Sequence, residues 1–193
     1  ENLVFKGSVD NNHQFLHRFS NDFMIGGKKF VWLLSDNSLK PKYSVQYSGG
    51  FQYNHLNFNL QLTLFKRKTK NLSDFSMFQF PSDIYSSDSN KKYYLGSGTS
   101  EGVEFTFQKK TGFLKGWLCY AYGLTKYYFP SQAINNGREH YAGHDRTHEL
   151  KSVLVTSINK WDLSVSWVYS TGSLYTSRGM EGDNDIYPIS IVP

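Results

Sequence analysis

The chain has 193 residues, a net charge of +5 and a mean hydropathy of −0.51, with 39% hydrophobic and 17% aromatic residues. No stretch approaches the ~20 apolar residues of a membrane helix, so a helical membrane protein is excluded, whereas a membrane β-barrel, apolar only at alternate positions, is not. Cys119 is the sole cysteine, so no intrachain disulfide is possible, and the basic residues are scattered apart from the run Lys66 to Lys70, which speaks against nucleic acid as a partner.

Helix formers are sparse and Tyr, Phe, Ser, Asn, Gly and Thr abound, a composition that favours an all-β fold. Seven segments read as strands, taken in chain order. Residues 1–9 place Leu3, Phe5 and Val9 on one face. The first eight residues resemble a protease-tag scar but depart from it at Val4 and Lys6, and read as native strand. Residues 43–53 set Tyr43, Val45, Tyr47, Phe51 and Tyr53 against Ser44, Gln46, Ser48 and Gln52. Residues 56–66 alternate most cleanly: Leu56, Phe58, Leu60, Leu62 and Leu64 against Asn57, Asn59, Gln61 and Thr63. Residues 101–109 oppose Val103, Phe105 and Phe107 to Glu104, Thr106 and Gln108. Residues 112–125 carry Leu114, Leu118, Tyr120, Tyr122 and Leu124 on one side, and residues 147–158 alternate poorly. Residues 160–170 put Trp161, Leu163, Val165, Trp167 and Tyr169 on one face and Asp162, Ser164, Ser166 and Ser170 on the other, with Val168 the exception.

Side chains alternate faces along a strand, so each ribbon is oily on one side and wet on the other. Aromatics near both ends of the oily face match a strand that crosses lipid between two aromatic girdles. Tight connections at Asn54-His55, Lys110 to Gly112 and Asn159-Lys160 alternate with long ones at 10–42, 67–100 and 126–146. Antiparallel strands crossing an outer membrane give that rhythm, with short periplasmic turns and long extracellular loops. Segments 56–66, 112–125 and 160–170 then run outward, and 43–53, 101–109 and 147–158 inward. The segment 82–100 reads as a mobile, polar loop. Open strand edges are costly in lipid, so seven strands are expected to be part of a larger barrel, and a chain that opens inside a strand is expected to be a piece of something longer.

Several stretches resemble the barrel domain of Bacteroidetes-type TonB-dependent receptors, in that family's order. Leu39-Lys-Pro-Lys-Tyr-Ser-Val-Gln-Tyr-Ser48, preceded by Trp32, resembles the opening of a late barrel strand. Leu64 to Leu72 resembles the lysine-asparagine-leucine ending of the next one. Gly102 to Tyr120 resembles a hairpin with glycine-glutamate, lysine-threonine-glycine and glycine-tryptophan signatures. Asp145-Arg-Thr-His148 resembles a strand start, with Thr147 in place of a second arginine, and Trp167 to Gly172, followed by Tyr175-Thr176, resembles a strand end.

The resemblance implies a seven-strand portion, from the C-terminal half, of a large antiparallel transmembrane barrel in the bacterial outer membrane. The plug, the TonB-box and the closing strands lie outside it. It further implies uptake of a glycan, peptide or metal chelate driven by TonB, a plug in the lumen, and a surface lipoprotein over the loops. Lipid-facing positions are then Leu56, Phe58, Leu60, Leu62, Leu64, Val103, Phe105, Phe107, Trp161, Leu163, Val165, Trp167 and Tyr169. Lumen-facing candidates for plug contact are Gln46, Gln52, Asn57, Asn59, Gln61 and Glu104. The basic cluster Lys66, Arg67, Lys68 and Lys70 is a candidate contact for lipopolysaccharide phosphates, against a solvated loop base. Two other readings are a receptor-like barrel serving as a structural subunit of an assembly or secretion complex, and a soluble β-sandwich or binding barrel.

No cofactor and no enzymatic activity are expected. His140, His144, Asp145 and His148 suggest a metal site, but the resemblance makes them a strand start, and His13 and His17 have no third ligand nearby. Cys119 lies mid-strand with no adjacent base, and reads as a wall-packing residue.

Overall fold

The computed structural model describes residues 2–21, 29–75, 93–132, 134–173, 175–176 and 188–189. Its body is one antiparallel sheet. The path is β1 (Asn2–Gln14), β4 (Lys42–Asn54), β5 (Phe58–Phe75), β6 (Tyr93–Lys109), β7 (Leu114–Tyr128), β9 (His148–Ile158) and β10 (Trp161–Ser170). These are the seven segments expected, in an up-and-down order, with most of them longer than the alternation alone suggested. The long connections are partly structured. The first holds the hairpin β2 (Leu16–Asn21) and β3 (Lys29–Leu34), and the last holds a 3-10 turn and β8 (His140–Tyr141), which pairs with β7. A short ladder joins β11 (Tyr175–Thr176) to β12 (Pro188–Ile189).

Two expectations are corrected. Leu56 and Asn57 are not on a strand: His55 N–H donates to Phe58 O at 2.9 Å, and residues 55–57 form the turn. The Asn57 carbonyl accepts Lys110 N–H at 2.8 Å and its side chain accepts the Thr111 hydroxyl at 2.8 Å, so this turn is tied to the next one. Residues 67–75 and 93–100 extend β5 and β6 and are not loop; residues 82–92 lie outside the described residues. The β9–β10 turn is Asn159-Lys160 as expected, with Asn159 at φ 56°, the left-handed conformation that a tight hairpin needs.

Registers decide what the sheet presents. Leu3, Tyr53, Leu60, Phe107 and Leu118 are successive cross-strand partners, and so are Phe5, Phe51, Leu62, Phe105, Tyr120, Leu150 and Tyr169. A slip of one residue in any pair would break these rows. Every oily face therefore lies on the same side of the sheet. Glycines let adjacent backbones close up on the other side. A Cβ at Gly50 would stand 2.1 Å from Leu62 O, and one at Gly102 would stand 2.3 Å from Tyr122 O, with the Phe65 ring laid over it.

Among the described residues the fully buried large side chains, Phe129, Leu39 and His17, all belong to the end of the sheet that carries the long connections, not to its seven-strand body. There Phe129 fills the space over Gly96, where a Cβ would meet its ring at 2.5 Å. His17 is 0% exposed, with Nδ1 at 2.8 Å from Ser73 Oγ and Nε2 at 3.1 Å from Ser35 Oγ, and so fastens the β2–β3 hairpin to β5. Burial, and then the Lys42 ammonium, push its pKa below the ordinary value, against a backbone hydrogen bond at Lys40 that raises it.

Candidate functional site

The site is the sheet itself, read as two faces. The oily face has no second layer over it among the described residues. Phe5, Val165 (65% exposed) and Trp167 (54% exposed) stand free of protein cover, as do Trp161, Leu163 and Leu64. From Trp161 to Tyr169 the strand rises roughly 27 Å at about 3.4 Å per residue. A tilt of about 40° turns that into roughly 21 Å of height, close to the ~25 Å apolar band of a membrane barrel. All the lipid-facing candidates except Leu56 fall on this one face, because their registers coincide.

The opposite face is polar and internally bonded. Lys6 Nζ donates to Gln52 Oε1 at 2.6 Å, Ser8 and Ser48 share a hydrogen bond of 2.7 Å, and Arg67 Nε donates to Gln46 Oε1 at 2.8 Å. Lys151 pairs with Glu149 at 2.8 Å. Gln46, Gln52, Asn59, Gln61 and Glu104 all lie here, and Asn57, in its turn, does not. Two groups on this face are unsatisfied among the described residues. Glu104, between Thr63 and Ala121, has neither hydrogen bond nor ion pair, and Asn59 Oδ1 is buried without a partner.

The sequence reading missed an apolar patch on this polar face. Trp117 and Val153 are cross-strand partners, Val155 follows on β9, and Val168, opposite Lys151, projects to the same side. The poor alternation of residues 147–158 was the available signal, since a strand covered on both faces loses its period of two.

The basic cluster divides. Lys66, Lys68 and Lys70 continue the oily face directly above Leu64, whereas Arg67 faces the polar side and bonds Gln46. The histidine group likewise does not converge. His148 Nδ1 meets the Tyr120 hydroxyl at 2.9 Å on the oily face, His140 stacks on Phe129, and Asp145 is committed elsewhere. Its Oδ1 accepts Thr125 N–H at 2.6 Å, between the part of β7 paired with β9 and the part paired with β8. A carboxylate stands where a strand is missing, and the β7 ladder stays satisfied. His13 lies against Tyr43 with the rings tilted by 40°, and has no part in the fastening role of His17. Cys119 lies on the polar face with its Sγ 3.4 Å from Thr106 Oγ1.

A family model described as TonB dependent receptor-like, beta-barrel, matches residues 11–188. No curated protein and no solved structure matches the chain.

Proposed function

Because the chain belongs to the TonB-dependent receptor-like β-barrel family, whose members are receptors and transporters of the bacterial outer membrane and not enzymes, we propose that its sheet is a wall segment of a plug-filled importer. The observation that carries this is the register, which aligns the oily faces of all seven strands on one side and leaves them without protein cover among the described residues. In lipid that face needs no second layer; in water it would be a very large exposed apolar patch.

The other face supports a plug. A wall that met only water would not carry Trp117, Val153, Val155 and Val168 together, nor a buried orphan acceptor at Asn59. Glu104 offers a free carboxylate to a basic group of that plug. Among the described residues β1 and β10 have each a single strand partner in the sheet. Unpaired edges cost several kcal/mol per backbone group in a bilayer, so further strands continue the wall on both sides. The five sequence signatures support the Bacteroidetes-type branch: one is the β6–β7 hairpin, one opens β4 and one begins β9. Uptake of a nutrient, whether glycan, peptide or metal chelate, would be energised by TonB, with a surface lipoprotein over the loops.

The test is site-by-site. In a Cys119→Ser background, single cysteines at positions 60 to 63 are spin-labelled in native outer membranes. Labels at 60 and 62 are expected to be relaxed by a lipid-dissolved agent, and those at 61 and 63 to be shielded. Uniform access of a water-soluble agent to 60 and 62 would sink the wall reading. Uptake that survives loss of TonB would leave the wall standing and remove the transport role.

A further inference from the structure

We propose that the outer end of β5 is a seat for a phosphorylated lipid of the outer leaflet, with Lys68 and Lys70 as its anion-binding pair. This deepens the wall reading and rests on it. On one face of one strand, Phe58, Leu60, Leu62 and Leu64 are followed at the same two-residue step by Lys66, Lys68 and Lys70. The change from apolar to cationic happens in a single step, at the level where hydrocarbon ends and head groups begin.

The lysines are not equivalent. Lys66 is paired with Glu101 at 2.7 Å, and Lys126, which shares this face through Thr99, is paired with Glu139 at 3.2 Å. Lys68 and Lys70 have no ion pair and no hydrogen bond among the described residues, and both are exposed. Their cross-strand partners are Val45 and Thr99 for Lys68, Tyr43 and Ser97 for Lys70. The Ser97 and Thr99 hydroxyls bond nothing else described, so two ammonium groups and two hydroxyl donors converge on one patch flanked by Tyr43. Cations with spare donors suit a phosphate monoester.

Below the patch lies a bare stretch of the oily face. Gly7 and Gly49 are cross-strand partners, one row under Val9, Tyr47 and Lys66, and beside Leu64. Neither needs to be glycine for its backbone: a Cβ would meet nothing closer than 3.8 Å at Gly7 or 4.0 Å at Gly49. Their effect is a dent framed by Phe5, Phe51 and Tyr47, where an acyl chain can lie beneath its own head group. Free phosphate would use the lysines and ignore the dent; a lipid uses both. Arg67, on the other face, takes no part.

The experiment uses the full receptor that carries this wall, extracted from outer membranes in mild detergent, with lipid A retained per protein measured by mass spectrometry. Lys68→Gln with Lys70→Gln is expected to lower retention roughly 30-fold, taking about 1 kcal/mol per lysine near an anionic surface. Arg67→Gln is expected to retain it fully, and Gly49→Leu to lower it with the lysines intact. Dephosphorylated lipid A is expected to be lost, and inorganic phosphate not to displace the intact lipid. Unchanged retention in the double variant, an equal loss in Arg67→Gln, or complete displacement by inorganic phosphate overturns the proposal. Resistance of each variant to a carbonate wash keeps the outcome separate from membrane insertion: a receptor that stays inserted but never held the lipid refutes the seat alone.

Discussion

Leu62 is the most direct probe of the two-faced wall. It sits in mid-band between Phe51 and Phe105 on the oily face, and its neighbour Thr63 points the other way, between Gly50 and Glu104. Leu62→Arg puts a guanidinium near the centre of the hydrocarbon, at about 2–4 kcal/mol for a lipid-facing cation at that depth. Thr63→Arg puts the same group beside an unpaired carboxylate in a polar setting, where a surface change costs within about 0.5 kcal/mol. The difference, about 3 kcal/mol, is roughly 150-fold in the folding equilibrium. Leu64→Arg falls between the two, because it borders Lys66 and can reach the interface. The assay is urea-dependent refolding into phosphatidylcholine vesicles, followed by tryptophan fluorescence and by the mobility of unheated samples on gels. Equal costs at 62 and 63, or a greater cost at 63, would refute the assignment of faces.

Three further outcomes follow from single contacts. Gly50→Ala drives a Cβ against Leu62 O and Thr63 Cα and should cost about 1–3 kcal/mol in the same refolding assay, whereas Gly49→Ala, with 4.0 Å of clearance, should be neutral. Asp145→Ala strips the Thr125 amide of its acceptor, about 1–3 kcal/mol of local stability, so faster hydrogen exchange at Thr125 is expected and Asp145→Asn should restore part of the protection. His17 has a lowered folded pKa, so below about pH 6.5 the unfolded hairpin takes up a proton that the folded one refuses. Stability of β2–β3 is therefore complete above that pH and declines as pH falls from there toward the lowered value; the protection factor of the Trp32 amide, its exchange relative to the intrinsic rate at each pH, should fall on acidification in the wild type and lose that dependence in His17→Gln.

Strand identity and facing were legible because the signal is local. Where the two faces of a strand meet different surroundings, the period of two survives, as in residues 58–64 and 161–169. The sequence was less informative where that condition fails. Beyond Leu64 the outer face turns cationic, so β5 looked finished at residue 66 although its pairing with β6 runs on to Phe75. At β9 the inner face turns apolar and alternation blurs. The β2–β3 hairpin was hidden in a loop because its order depends on contacts such as His17 with Ser73, 56 positions apart. The turn at 55–57 was misplaced by two residues because Leu56 happens to keep the phase of the strand it precedes. The cluster at 66–70 was visible as charge, but its division between faces required the register.

The placement of buried groups bears on what holds this protein together. A soluble two-layer domain buries apolar side chains between its layers. Here, among the described residues, the large side chains that are fully buried belong to the rim around Phe129, Leu39 and His17, while the seven-strand body presents Trp161, Val165 and Trp167 to its surroundings. The ladders fix the shape of the body, but they cannot supply the hydrophobic free energy that drives folding, since net backbone hydrogen bonding contributes little. In the proposed wall that driving force comes from what covers the faces: acyl chains against Leu60, Leu62 and Phe105, and a filling of the lumen against Trp117 and Val153. In that wall the rim differs because it stands in water above both, and among the described residues it alone has built a small core of its own.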